Sequence, residues 1–134
     1  MASSGLTTNG TVVPKLWRNE ELTPAELRVV QDARHKSGRK QFRQGKCFAN
    51  AQLLALVDPR LSYAEGVAGR GGHHGWNVIN GKVVDVTWKR VRTPVLYFGV
   101  AFDQSTVLEH WLARAGTPLL PDRDISTMTR TFLL

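Results

Sequence analysis

Cys47, His74 and Asp85 are the residues of this chain whose types and order suit a reaction. A thiol nucleophile needs a base to take its proton and a group to orient that base, and a cysteine, a histidine and an aspartate supply these roles. Cys47 opens the run Cys47-Phe48-Ala49-Asn50-Ala51-Gln52-Leu53-Leu54-Ala55-Leu56, which reads as a helix. At a helix start, free N–H groups and the macrodipole favour a thiolate, and an adjacent imidazolium strengthens that preference. Those N–H groups could also receive the oxyanion of an attacked carbonyl, with Gln41 and Gln44 as side-chain candidates beside them. Plainer readings stay open: a lone cysteine is commonly a small core residue, a histidine beside an aspartate is commonly a satisfied polar pair, and Trp76 and Trp88 suit a core as well as a substrate platform.

The elements that must position these groups are legible in part. Trp76-Asn77-Val78-Ile79 and Lys82-Val83-Val84-Asp85-Val86 are β-rich runs joined by Asn80-Gly81, the pair favoured in a two-residue type I′ turn. That turn sets Ile79 opposite Lys82, and alternation then puts His74, Trp76 and Val78 on one face with Val83, Asp85 and Thr87. His74 and Asp85 become diagonal neighbours, roughly 7 Å apart at the backbone, within reach of one hydrogen bond. His73 points to the opposite face, which argues against a metal shared by His73, His74 and Cys47. No cofactor is implied, and His35 and His110 read as surface or helix-end residues.

Elsewhere, Thr23-Pro24-Ala25-Glu26 is a capping box that starts a helix running to about His35, with Leu27, Val30 and Gln31 on one stripe and Val29 beside it. The Cys47 helix is apolar nearly all round, hence central, and Asp58-Pro59 stops it. Leu61 to Ala68 and Pro94 to Ala101 have strand character, and Gln104 to Ala113 is a helix capped by Asp103 or Ser105 and ended by Gly116. The glycine-rich loop Gly69-Arg70-Gly71-Gly72 lacks the spacing and lysine of a phosphate-binding loop. The residues from Thr117 onward carry no clear pattern. The expected class is α+β, with helices packed on a small antiparallel sheet. The expected organisation is a flexible tail over residues 1–14 and one domain over 15–134.

Of 134 residues, 42% are hydrophobic, without an apolar run of membrane-spanning length or a start of signal-peptide type, so a cytoplasmic protein is expected. One cysteine permits no internal disulfide. The net charge is +7, and Arg34, Lys36, Arg39, Lys40, Arg43 and Lys46 follow one another with no acid between them. The run is either the footprint of an acidic partner or a solvated connector. Nucleic acid is a possible partner, but no recognition motif supports it.

His74-Gly75-Trp76, a short hairpin and Val84-Asp85-Val86-Thr87-Trp88, preceded by a cysteine at a helix start, resemble the core of the transglutaminase-like branch of the papain-like cysteine fold. The resemblance spans about Gln41 to Trp88. It implies Cys47 as nucleophile, His74 as general base and acid, Asp85 as orienter, and Gln41 at the offset of an oxyanion glutamine. Phe48 stands where that family commonly has tryptophan. The Cys-Phe-x-Asn-Ala helix and Tyr97-Phe98-Gly99-Val100 also resemble small bacterial and bacteriophage proteins. The leading expectation is a thiol enzyme that transfers or hydrolyses an acyl group of a peptide or protein amide. Arg39, Lys40, Arg43, Lys46 and Arg70, with Trp76, would contact an acidic substrate or partner. The alternatives are a non-catalytic binding module with a basic surface and an effector acting on a host factor.

Overall fold

A computed structural model describes residues 13–39, 42–43, 45–69, 72–87, 94 and 96–133. The elements run β1 (Lys15–Arg18), α1 (Pro24–Lys36), α2 (Cys47–Val57), β2 (Ser62–Ala68), β3 (Gly72–Ile79), β4 (Lys82–Val84), β5 (Leu96–Phe102), α3 (Gln104–Arg114) and α4 (Asp122–Leu133). The fold is α+β, with helices packed on an antiparallel sheet of order β1-β5-β2-β3-β4. Among the described residues no helix is long and apolar enough to cross a membrane.

Local signals explain most boundaries. Thr23 accepts a hydrogen bond from the Glu26 amide at 3.2 Å, and the Glu26 carboxylate accepts one from the Thr23 amide at 2.8 Å, which closes the capping box at the start of α1. The same carboxylate takes Asn80 at 2.8 Å and Lys82 at 2.9 Å, so it also pins α1 to the β3–β4 turn. Its backbone bond at Thr23, then Asn80 and Lys82, hold the Glu26 carboxyl down at about 2. The turn has φ of 51° at Asn80 and 78° at Gly81, the positive pair a type I′ turn needs, and Ile79 faces Lys82 as the turn requires. The stripe of α1 differs from expectation. Glu26, Val30 and Ala33 are buried while Leu27 is 45% exposed, because the helix is rotated by the anchoring of Glu26 on the hairpin.

The sheet has two unlike faces. Toward the helices, Tyr63, Val67, Val100 and Phe102 meet Ala51 and Ala55 of α2, Val107 of α3, and Leu120 and Met128 near and on α4. On the other face β1 and β4, the two edges, approach each other, so the sheet curls around Trp17, Trp76, Val78, Val83 and Tyr97. Small residues on the central strands make the curl feasible. Ala64, Gly66 and Ala68 line β2 on that face, and Gly66 lies opposite Gly99 of β5. A Cβ at Gly66 would stand 2.2 Å from the Phe98 carbonyl oxygen, and one at Gly99 would stand 2.8 Å from the Trp76 ring. A third cluster joins Val30 and Ala33 of α1 to Phe42, Leu54, Leu61, Ile79 and Val84. Phe42 gives the basic connector a buried anchor, under the Arg34 guanidinium at 4.8 Å.

Candidate thiol centre

The first turn of α2 lies directly on β3 because residue 75 is glycine. A Cβ there would stand 3.0 Å from Phe48 Cδ1 and 3.3 Å from Phe48 Cα, so any side chain would push the helix start away. One turn further along, Asn77 donates to the Ala51 carbonyl at 2.8 Å and fixes the helix axially. Strand β4 pairs only with Asn77, Val78 and Ile79. Among the described residues, the half of β3 that carries His73, His74 and Gly75 therefore has no strand on that side. There the His74 imidazole, on the curled face, comes near enough to the Cys47 side chain for the thiol to favour its protonated form.

The other side of the ring meets Asp85. His74 Nε2 is 2.6 Å from Asp85 Oδ2, and both side chains are buried. Since Nε2 is taken by the carboxylate, Nδ1 is the nitrogen left for the thiol. Asp85 lies just past the end of β4, and its carboxylate is held by two further donors. The Thr87 amide reaches Oδ1 at 3.1 Å, and the Tyr97 hydroxyl reaches Oδ2 at 2.9 Å. Burial disfavours the charged imidazole, yet the hydrogen bonds and charges of Asp85 and Cys47 outweigh it and raise the His74 pKa to about 9. Burial, with the Asp85 charge beside it, pushes the Tyr97 phenol well above its usual range, so this hydroxyl stays a donor.

Asn50, one turn after Cys47, joins the two flanks of the centre. Its amide donates to the Arg43 carbonyl at 3.1 Å and to Thr87 Oγ1 at 3.0 Å, tying the segment before the cysteine to the bend after the aspartate. Lys46 occupies the N-cap of α2 and contributes no side-chain cap, so no side chain of that residue competes for the first-turn amides. Such a cluster can deprotonate a thiol, hold the resulting ion pair and offer amides to a developing oxyanion.

The structure thus brings Cys47, His74 and Asp85 together. Arg39, Arg43 and Lys46 are exposed on the approach to the α2 start. Gln41, Lys40 and Arg70, together with Gln44 and Trp88, lie outside the described residues. Trp76 does not offer a contact surface: it is 1% exposed and packs inside the curl, stacked beside His74 with its indole N–H unpaired. Inward alternation on β3, with the small residues of β2 opposite, leaves its ring nowhere to go but the core. His73 faces the helices and bonds Glu65 at 2.9 Å. His35 is exposed and His110 bonds the Thr117 carbonyl at 2.8 Å, ending α3.

Three contributors were not identified from sequence: Tyr97, Thr87 as a backbone donor, and Asn50 as a tie. Tyr97 comes from β5, separated from β3 by β2, so no spacing in the chain points to it. The alternation Ala64-x-Gly66-x-Ala68 is the available signal, since small residues on a middle strand leave room for a large side chain from beyond it. No known protein family, curated protein or solved structure matched the chain.

Proposed function

We propose that this chain is a thiol-dependent acyl-transfer enzyme related to the transglutaminase-like branch of the papain-like fold. The observation that carries the reading is the His74 ring, bonded through Nε2 to a buried Asp85 at 2.6 Å and near enough to the Cys47 side chain for the thiol to favour its protonated form. In the proposed reaction, the Cys47 thiol proton moves to His74 and the sulfur attacks the carbonyl carbon of a peptide or protein amide, or of an ester. The carbonyl oxygen takes up negative charge near the first amides of α2. His74 then returns the proton to the leaving amine or alcohol as the C–N or C–O bond breaks, giving a thioester. Water or an amine attacks the thioester, passes a proton to His74 and releases the thiolate. Asp85 keeps the ring in one tautomer and stabilises its protonated form.

Alkylation of Cys47 by iodoacetamide tests this without a known substrate. At pH 6 the wild-type chain should react at least about tenfold faster than glutathione, because an imidazolium-paired thiolate is present where a free thiol is protonated. Cys47→Ala should abolish labelling, and Asp85→Asn should slow it while the fold is kept. A wild-type rate no faster than glutathione would reject the proposal. The exposed Arg39, Arg43 and Lys46 support a second reading, a basic surface that holds an acidic protein or nucleic acid. Salt-sensitive binding that survives Cys47→Ala and is lost when Arg39 and Arg43 are neutralised would favour it.

A further inference from the structure

We infer that Tyr97 is a positioning residue of the thiol centre, one whose hydroxyl shares an Asp85 oxygen with His74 and so sets both the carboxylate's orientation and the strength with which it holds the imidazole. This rests on the Cys47–His74–Asp85 reading above. Asp85 is one residue beyond β4, in a bend without ladder bonds, so the strand itself does not fix its side chain. Two donors do. The Thr87 amide holds Oδ1, and the Tyr97 hydroxyl holds Oδ2, the oxygen that also engages His74 Nε2.

The tyrosine can serve in this way because its ring is fixed before the bond forms. Tyr97 is fully buried, packed edge-on to Trp76 with ring centres 4.9 Å apart. It reaches Asp85 across Ala64, Gly66 and Ala68 of the intervening β2. Two donors on one oxygen each receive less of its charge than a single donor would. Removing the hydroxyl therefore leaves Oδ2 to the imidazole alone, which tightens the hold on the ring proton, and it also loosens the carboxylate, which the Thr87 amide and the imidazole are then left to orient. The first effect makes His74 slower to give up its proton to a leaving group.

Among the described residues, the titratable groups facing His74 are Cys47 from α2, Asp85 from the bend and Tyr97 from β5. On β1, Lys15 shares that face and is exposed at its rim, while His73 and Lys82 point the other way.

Tyr97→Phe keeps the ring and removes the hydroxyl. In the full chain, the His74 ring titration, followed by NMR with labelled histidine, should move upward by roughly half to one pH unit, in line with the loss of one charge-assisted hydrogen bond. Tyr63→Phe is the control. Tyr63 is equally buried and donates to Glu65 at 2.6 Å on the opposite face, so its variant should lose similar stability and leave the His74 titration in place. An unmoved His74 titration in a folded Tyr97→Phe chain would overturn the inference, as would an equal shift in Tyr63→Phe. A wild-type Cys47 that reacts no faster than glutathione would reject the acyl-transfer reading, while the NMR comparison would still decide the place of Tyr97.

Discussion

Replacing Glu65 by glutamine should destabilise the fold by about 3 kcal/mol and loosen the approach to α4 before the sheet. Glu65 is fully buried on β2, and each of its oxygens accepts two donors. Oε1 takes His73 Nε2 at 2.9 Å and the Leu120 amide at 2.8 Å, and Oε2 takes the Tyr63 hydroxyl at 2.6 Å and the Leu119 amide at 2.8 Å. Glutamine has the same size but only one oxygen. Whichever end its NH2 occupies, that end faces a backbone N–H that can only donate. A tyrosine hydroxyl or an imidazole can reverse its role, whereas an amide cannot, so one buried N–H is left unpaired at a cost of about 1–3 kcal/mol. The remaining bonds lose their charge assistance, which brings the sum to about 3 kcal/mol. For a chain of this size the thermal midpoint should fall on the order of 10 °C. Urea denaturation measures the free energy, and native-state hydrogen exchange locates it: the Leu119 and Leu120 amides should lose more protection than those of Ala64 or Val67. A denaturation midpoint equal to wild type, or a uniform loss of protection over the sheet, would refute this account of Glu65 as the latch.

Two further outcomes follow from the curled face. With the His74 pKa raised from 6.5 to about 9, the ring carries more charge in the folded than in the unfolded chain between those values. Its contribution, on the order of 3 kcal/mol, is complete below pH 6.5 and lost as pH rises through about 9; urea titrations of wild type minus Asp85→Asn should show that difference shrink over the same window, and a difference constant with pH would contradict it. Gly66→Ala should cost at least about 3 kcal/mol, because its Cβ would meet the Phe98 carbonyl oxygen at 2.2 Å and that backbone is locked in a ladder. Thermal unfolding checks this, and a wild-type midpoint would show that β2 and β5 do not approach so closely at this pair.

The elements legible in the sequence are those encoded by neighbours along the chain. Thr23 and Glu26 close a capping box within one turn, Asn80-Gly81 sets a register, and alternation from that register places His74 and Val83 on one face. The α4 helix was illegible because its local preference opposes it. Thr127, Thr129 and Thr131 are poor helix formers, and their hydroxyls bond back to the carbonyls of Arg123, Ile125 and Thr127. What holds α4 is distant: Ile125 and Met128 pack on the sheet, and Leu119 and Leu120 just before it bond to Glu65. β1 escaped notice for a related reason, since four residues with a single buried side chain, Trp17, carry too little alternation to read.

The contact between Cys47 and His74 depends on a mismatch that no local pattern contains. Strand β3 has 8 residues and its hairpin partner β4 has 3, so the His74 end of β3 is left without that neighbour and α2 can present its first residue there. Had β4 continued through Asp85 and Thr87 as its sequence suggests, Asp85 would sit in a ladder and the side of β3 next to His74 would be closed. The chain leaves the sheet after Val84 because the Asp85 carboxylate accepts the Thr87 amide and bends the backbone, and because Asn50 holds Thr87 against α2. The aspartate that orients the histidine therefore also ends the strand that would otherwise pair beside it, and one residue couples the end of β4 to the alignment of the ring.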